Sequence, residues 1–131
     1  MENKEIKESF DILLTVCRID DNKLDIAYKQ MRDLLERLCR SQMQNESLQM
    51  TDLSARISFV AARTGLSAVE QNRLHTFRLT SNGVLNRRTE PEREKLLRDA
   101  KTLAFFLKKL SGTDIPDELY RLLPKTDATY I

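Results

Sequence analysis

The chain has 131 residues, 40% of them hydrophobic and 32% charged, with three Gly, three Pro and no Trp, a size that fits one domain. These proportions exclude a collagen-like, proline-rich or disulfide-stapled chain, and the apolar content is enough for a core, which excludes a disordered charged tail. Lys and Arg number 22 against 20 Asp and Glu, so the net charge of +2 forces no nucleic-acid reading.

Taken in chain order, the periodicity is helical nearly throughout. Over Lys4–Arg18, Ile6, Phe10, Leu13, Leu14 and Cys17 recur three and four apart. Asp20-Asp21-Asn22 supplies side chains suited to capping the next helix. That helix carries Leu24, Ala27, Tyr28, Met31, Leu34, Leu35 and Leu38 and runs to about Met43. Its outer face alternates Lys29, Arg32, Asp33, Glu36, Arg37 and Arg40, the pattern of a solvated surface. Gln44–Thr51 reads as a loop, and a shorter helix over Asp52–Thr64 ends at Gly65. Ser67-Ala68-Val69-Glu70 forms a capping box that opens a helix bearing Val69, Leu74, Phe77, Val84 and Leu85. Asn82-Gly83 interrupts that pattern. No strand alternation flanks the pair, so it reads as a weak point within the helix or just before its end.

Thr89-Glu90-Pro91-Glu92 is a second capping box, with proline in the first turn. The long helix after it carries Leu96, Leu97, Ala100, Leu103, Ala104, Leu107 and Leu110 and stops at Ser111-Gly112. Pro116 opens a last short helix through Leu123, and residues 125–131 form a patternless tail or a linker into further sequence. The expected fold is all-α: one domain over residues 1–124, an up-and-down bundle of four main helices plus one short helix.

The longest apolar runs, Ile12–Leu14 and Leu103–Leu107, fall far short of the roughly 20 residues of a membrane span. The N-terminus is charged and has no signal-peptide core. Cys17 and Cys39 sit on apolar helical positions, as small buried hydrophobes of a reducing compartment do. The expected location is therefore cytoplasmic, away from membranes. One His and two isolated Cys build no zinc site, and the carboxylates lack the spacing of a di-iron bundle. No metal and no cofactor is expected.

Chemistry-bearing motifs are scarce. There is no Gly-rich phosphate loop, no G-x-S-x-G and no H-E-x-x-H. Asp20 with Asp21, and Asp117 with Glu118, are sequence neighbours at helix starts, where capping explains them better than acid–base work. The sole histidine, His75, lies beside Leu74 and Phe77 and reads as a structural residue. No catalytic residue is expected.

One segment differs from the rest. From Leu74 to Arg87, the residues Arg78, Asn82 and Asn86 fall at i, i+4 and i+8, which stacks them on one helix face. Such a row suits holding a phosphate or fastening two helices; alternatively, the two Asn side chains bond backbone groups near a helix end. Between Arg73 and Lys101 there are eight basic and four acidic residues, against eight and ten in the first fifty. This places a mild positive field around Arg78, with Arg87 and Arg88 as further candidates for a nucleic-acid backbone. The same two arginines equally suit pairing with Glu90 and Glu92. No aromatic platform for single strands accompanies them.

The stretch Leu74-x-x-Phe77-Arg78-x-x-Ser81-Asn82-x-x-x-Asn86 resembles the motif L-x-x-L-R-x-x-G-N-x-x-A-H of the HEPN superfamily (higher eukaryotes and prokaryotes nucleotide-binding), particularly its prokaryotic branch. The helix order over Lys4 to Leu110 is also similar. In active HEPN ribonucleases the motif arginine and histidine work together across a dimer interface. Here Asn86 stands at the histidine position, and an amide is no general acid or base near neutral pH. The resemblance implies a non-catalytic accessory domain that binds RNA or DNA or a partner domain, with Arg78, Asn82, Asn86, Arg87 and Arg88 as its site. It also implies a homodimer, or a fused enzyme such as an ATP-dependent helicase following Ile131. The alternatives are a purely structural dimerisation or docking bundle and, third, a ribonuclease with a displaced base.

Overall fold

Apolar residues three and four apart leave each predicted helix with one face to bury, and in the computed structural model those faces meet in a single core. The structure describes residues 1–43 and 52–125; the loop predicted over 44–51 and the tail from 126 lie outside the described residues. In chain order the helices are α1 (Asn3–Cys17), α2 (Leu24–Ser41), α3 (Leu53–Thr64), α4 (Ala68–Leu85), α5 (Arg93–Ser111) and the single turn α6 (Asp117–Tyr120). The four longest, α1, α2, α4 and α5, make a ring in which each packs on its chain neighbour, α1 closes against α5, and α2 meets α5 across the middle. The short helix α3 lies outside this ring against α2 and α4, and α6 covers α1. The described residues are all-α, as the periodicity predicts.

Most residues of the predicted stripes form the observed core, with Leu14, Leu97 and Leu110 half-buried against it. Leu13, Val16, Ala27, Tyr28, Met31, Leu34, Leu35, Phe77, Leu96 and Leu103 are fully buried. Cys17 and Cys39 are buried free thiols, and loss of hydration pushes both up, to about 11 and about 12, so they behave as small apolar groups. Val69 departs from expectation. It lies in the first turn of α4 and is 54% exposed, because Leu74, Phe77, Ser81 and Val84 define the buried line and Val69 falls off it.

Two predicted caps do not form. Asp20-Asp21-Asn22 builds a 3-10 turn over Asp21–Lys23 with no side-chain cap. Asp21 instead pairs with Arg93, whose guanidinium also donates to the Cys17 and Ile19 carbonyls, groups the end of α1 leaves without helical partners. The second expected capping box also fails. Helix α5 begins at Arg93 behind Glu92, without a side-chain cap, so Pro91 precedes the helix and Thr89 lies outside it. At Ser67 the box is complete: the hydroxyl accepts the Glu70 N–H at 3.1 Å and the Glu70 carboxylate accepts the Ser67 N–H at 2.9 Å.

One ionisable cluster is buried within the bundle. Tyr28 of α2 donates its hydroxyl to Asp99 of α5 at 2.7 Å, and Lys95 donates to the other carboxylate oxygen at 2.7 Å. Asp99 is 2% exposed. Burial raises its carboxyl above the usual range, while Lys95 and Tyr28 pull it the other way.

Candidate functional site on helix α4

Helix α4 owes its position to Leu74, Phe77, Ser81 and Val84, which recur three and four apart and face the core. The Phe77 ring stacks on Tyr28 of α2, with centroids 6.2 Å apart and planes 14° from parallel. This contact holds the α2 flank of α4 close to Arg32, one turn beyond Tyr28. Arg32 belongs to the face predicted to be solvated, yet its side chain is only 21% exposed. Its Nη1 donates to Ser81 Oγ at 3.1 Å and to Asn82 Oδ1, and its Nε lies 3.4 Å from Glu36. Ser81 is fully buried and donates its own proton back to the Arg78 carbonyl at 2.9 Å. Asn82 thus takes part in a bridge between helices.

Arg78 comes next on the same flank. Its Nε is buried without a hydrogen-bond partner, and the guanidinium enters no ion pair among the described residues. One turn earlier lies His75, whose Nε2 is 3.4 Å from the Ser58 hydroxyl of α3. The Gln71 amide reaches that hydroxyl from the other side, also at 3.4 Å. The imidazole Nδ1 is buried and unpartnered. Burial first, and the nearby Arg78 cation second, hold the His75 pKa below its usual value, which keeps the ring neutral at physiological pH.

The remaining candidates lie beyond the helix. Gly83 does not break α4, which runs on through it to Leu85. A Cβ there would stand 2.3 Å from Thr89 Oγ1 and 3.1 Å from Thr89 Cβ, so glycine is required by the loop that folds back over it. Asn86 is the C-cap and is exposed; its backbone, not its amide, makes the contact with α4, to the Asn82 carbonyl. Arg87 has a left-handed φ of 59°. Its N–H reaches the Val84 carbonyl at 3.1 Å, and the Arg88 N–H reaches Gly83 at 2.8 Å, the paired bonds of a Schellman ending. The exposed side chains of Arg87 and Arg88 line a broad cleft together with Asp21, Asp25 and Glu90, which offsets their charge. The predicted row of three and its two neighbouring arginines are therefore divided. Arg78 and Asn82 share a helix flank, while Asn86, Arg87 and Arg88 belong to the turn that ends the helix.

Arg32 is the residue that the sequence reading passes over. Its spacing of four from both Tyr28 and Glu36 placed it at the edge of the core stripe, a signal that its solvated neighbours obscured. Among the described residues no group of His, Cys, Asp and Glu forms a metal-binding cluster, and no described helix is long and apolar enough to cross a membrane. No family model, curated protein or solved structure matches this chain significantly.

Proposed function

We propose that this chain is a non-catalytic, HEPN-like accessory module that holds nucleic acid through the α2 flank of α4, with Arg78 as its anchor. The observation that carries the reading is the state of Arg78: a partly buried guanidinium with no carboxylate and no side-chain hydrogen bond among the described residues. A desolvated cation without a counter-charge is costly, and a phosphate oxygen placed between Arg78 and Arg32 would relieve that cost with charge-assisted bonds. Asn86, at the position of the family's histidine, supplies no proton transfer, so binding without cleavage is the consistent activity. The link to a helicase or a related nucleic-acid enzyme is carried by the resemblance in motif and helix order.

Arg78→Ala tests this. Binding of labelled single-stranded RNA and duplex DNA, followed by fluorescence anisotropy at low salt, should weaken, and the slope of affinity against salt should fall by about 1. The thermal midpoint should not change. A parent chain that binds neither polymer, or a variant that binds both equally well, refutes the proposal. RNA cleavage by the parent that vanishes in the variant replaces it with a ribonuclease.

A second reading, a structural docking or dimerisation bundle, is favoured by the bridge from Arg32 to Ser81 and Asn82. It predicts that Asn82→Ala lowers the thermal midpoint or dissociates a dimer and leaves any polynucleotide binding unchanged.

A further inference from the structure

On its other flank α4 meets α5, and there the two helices leave a pocket of about 170 Å³. The lining has two characters. Leu66, Leu74, Phe105 and Phe106 supply apolar surface; Leu74 and Phe106 are buried, whereas Phe105 is 39% exposed. Glu70, Arg73, Arg98, Lys101 and Thr102 supply the polar groups. Arg78 is not among the lining residues, so this pocket is distinct from the α2 flank of α4.

The polar groups are already matched within the chain. The Glu70 carboxylate accepts the Ser67 N–H at 2.9 Å in the capping box. Arg98 is held by Glu94 at 3.1 Å, and the Thr102 hydroxyl donates to the Arg98 carbonyl at 3.2 Å. Arg73 and Lys101 have partners of their own. An anion entering the pocket would have to displace the partners that these cations already hold, and a cation would meet three like charges. The surface left to cover is hydrocarbon. It comes from Leu66 and the exposed part of the Phe105 ring, and from the methylene stems that long charged side chains lay along apolar surface. An apolar body that displaces water from it is bound favourably without disturbing any existing pair.

We infer that this pocket binds a compact, uncharged apolar molecule of about one ring. The size follows from the volume, because an apolar cavity of about 150 Å³ takes up a benzene-sized ring. The ring packs on Phe105 and Leu74, and an aromatic body gains an additional ring–ring contact with Phe105. All lining residues except Leu66 project from two long helices, so the site is formed before the ligand arrives.

Titration of the isotopically labelled chain tests the inference, with toluene as the probe and benzoate and benzylammonium as ions built on the same ring. Toluene should shift the amides around Leu66 and from Arg98 to Phe106 saturably, with a Kd at least about tenfold below that of either ion. Phe105→Ala, at a solvent-accessible position, should weaken toluene about tenfold and leave the amides remote from the pocket unchanged. Lys101→Met keeps an unbranched stem and removes the charge, so toluene affinity should stay within about twofold of the parent. Either ion binding as tightly as toluene overturns the proposal, because charge then contributes to recognition. An affinity unchanged by Phe105→Ala, or lost in Lys101→Met, overturns it as well. So does the absence of a saturable shift in the parent chain, a result that needs no variant.

Discussion

Arg87 ends α4 in a conformation that the ends of α3 and α5 leave to glycine. Gly65 and Gly112 stop α3 and α5 with φ of 72° and 71°, where the absence of a Cβ makes the left-handed region accessible. Arg87 occupies the same region at 59° and meets the clash of its Cβ with the backbone, which costs roughly 1–2 kcal/mol. Arg87→Gly should therefore stabilise the fold, by about 0.5–1 kcal/mol after the extra freedom of glycine in the unfolded chain is subtracted. Thermal unfolding measures this directly; a midpoint that falls in the variant contradicts the assignment. The strained residue is exposed and directly follows the motif, so its arginine side chain is held at the mouth of the cleft that also contains Asp21, Asp25 and Glu90.

Helix α4 shows how a rule of local propensity is reversed by a neighbour. Glycine inside a helix normally costs about 1 kcal/mol against alanine, so Gly83→Ala would stabilise an isolated α4. In the folded chain the new methyl group would stand 2.3 Å from Thr89 Oγ1, and both the Gly83 carbonyl bonds to Arg88 and Thr89 depend on that close approach. Gly83→Ala should destabilise by about 1–3 kcal/mol, the usual cost of overpacking. Combining it with Thr89→Gly removes the obstructing atoms, so the double variant should lose less than the sum of the two single ones. Additive losses in denaturant unfolding would show that Thr89 is not the cause. The same loop explains why the expected capping box fails. Thr89 is drawn over Gly83, and α5 then begins three residues after the predicted start, at Arg93.

Across the whole molecule, the Tyr28–Asp99–Lys95 cluster ties α2 to α5 through the middle of the ring. Burial is the largest influence on Asp99 and raises its pKa. A carboxyl whose folded pKa lies above its unfolded value contributes most to stability below the unfolded value, 3.8. That contribution is lost as pH rises through the folded value. Asp99→Asn keeps an acceptor for the Tyr28 hydroxyl and removes the titration. The stability of the parent minus that of the variant should therefore grow as pH falls from neutral toward 4, as urea unfolding at several pH values would show. A difference that shrinks on acidification would mean that Lys95 outweighs burial.

The fold was legible because helical periodicity is local. Ile6, Phe10 and Leu13 mark one face of α1, and Leu24 to Leu38 mark one face of α2, without reference to any other part of the chain. The complete capping box at Ser67 and the glycine stops at Gly65 and Gly112 were legible for the same reason, since each is made by residues a few positions apart. What depends on partners distant in sequence was not legible. Arg32 is set among alternating charges, and only the packing of α2 on α4 turns it toward Ser81 and Asn82. Asp21 looks like a cap until the approach of α5 brings Arg93 to it. Asp99 is only one of four acidic residues between Arg73 and Lys101 in the sequence, and closure of the bundle is what buries it. Arg73, Arg98 and Lys101 meet only because α4 and α5 lie side by side. A helix fixes the direction of its own side chains from its own sequence; the charge or cavity each one faces belongs to the neighbouring helix, and tertiary packing alone chooses that neighbour.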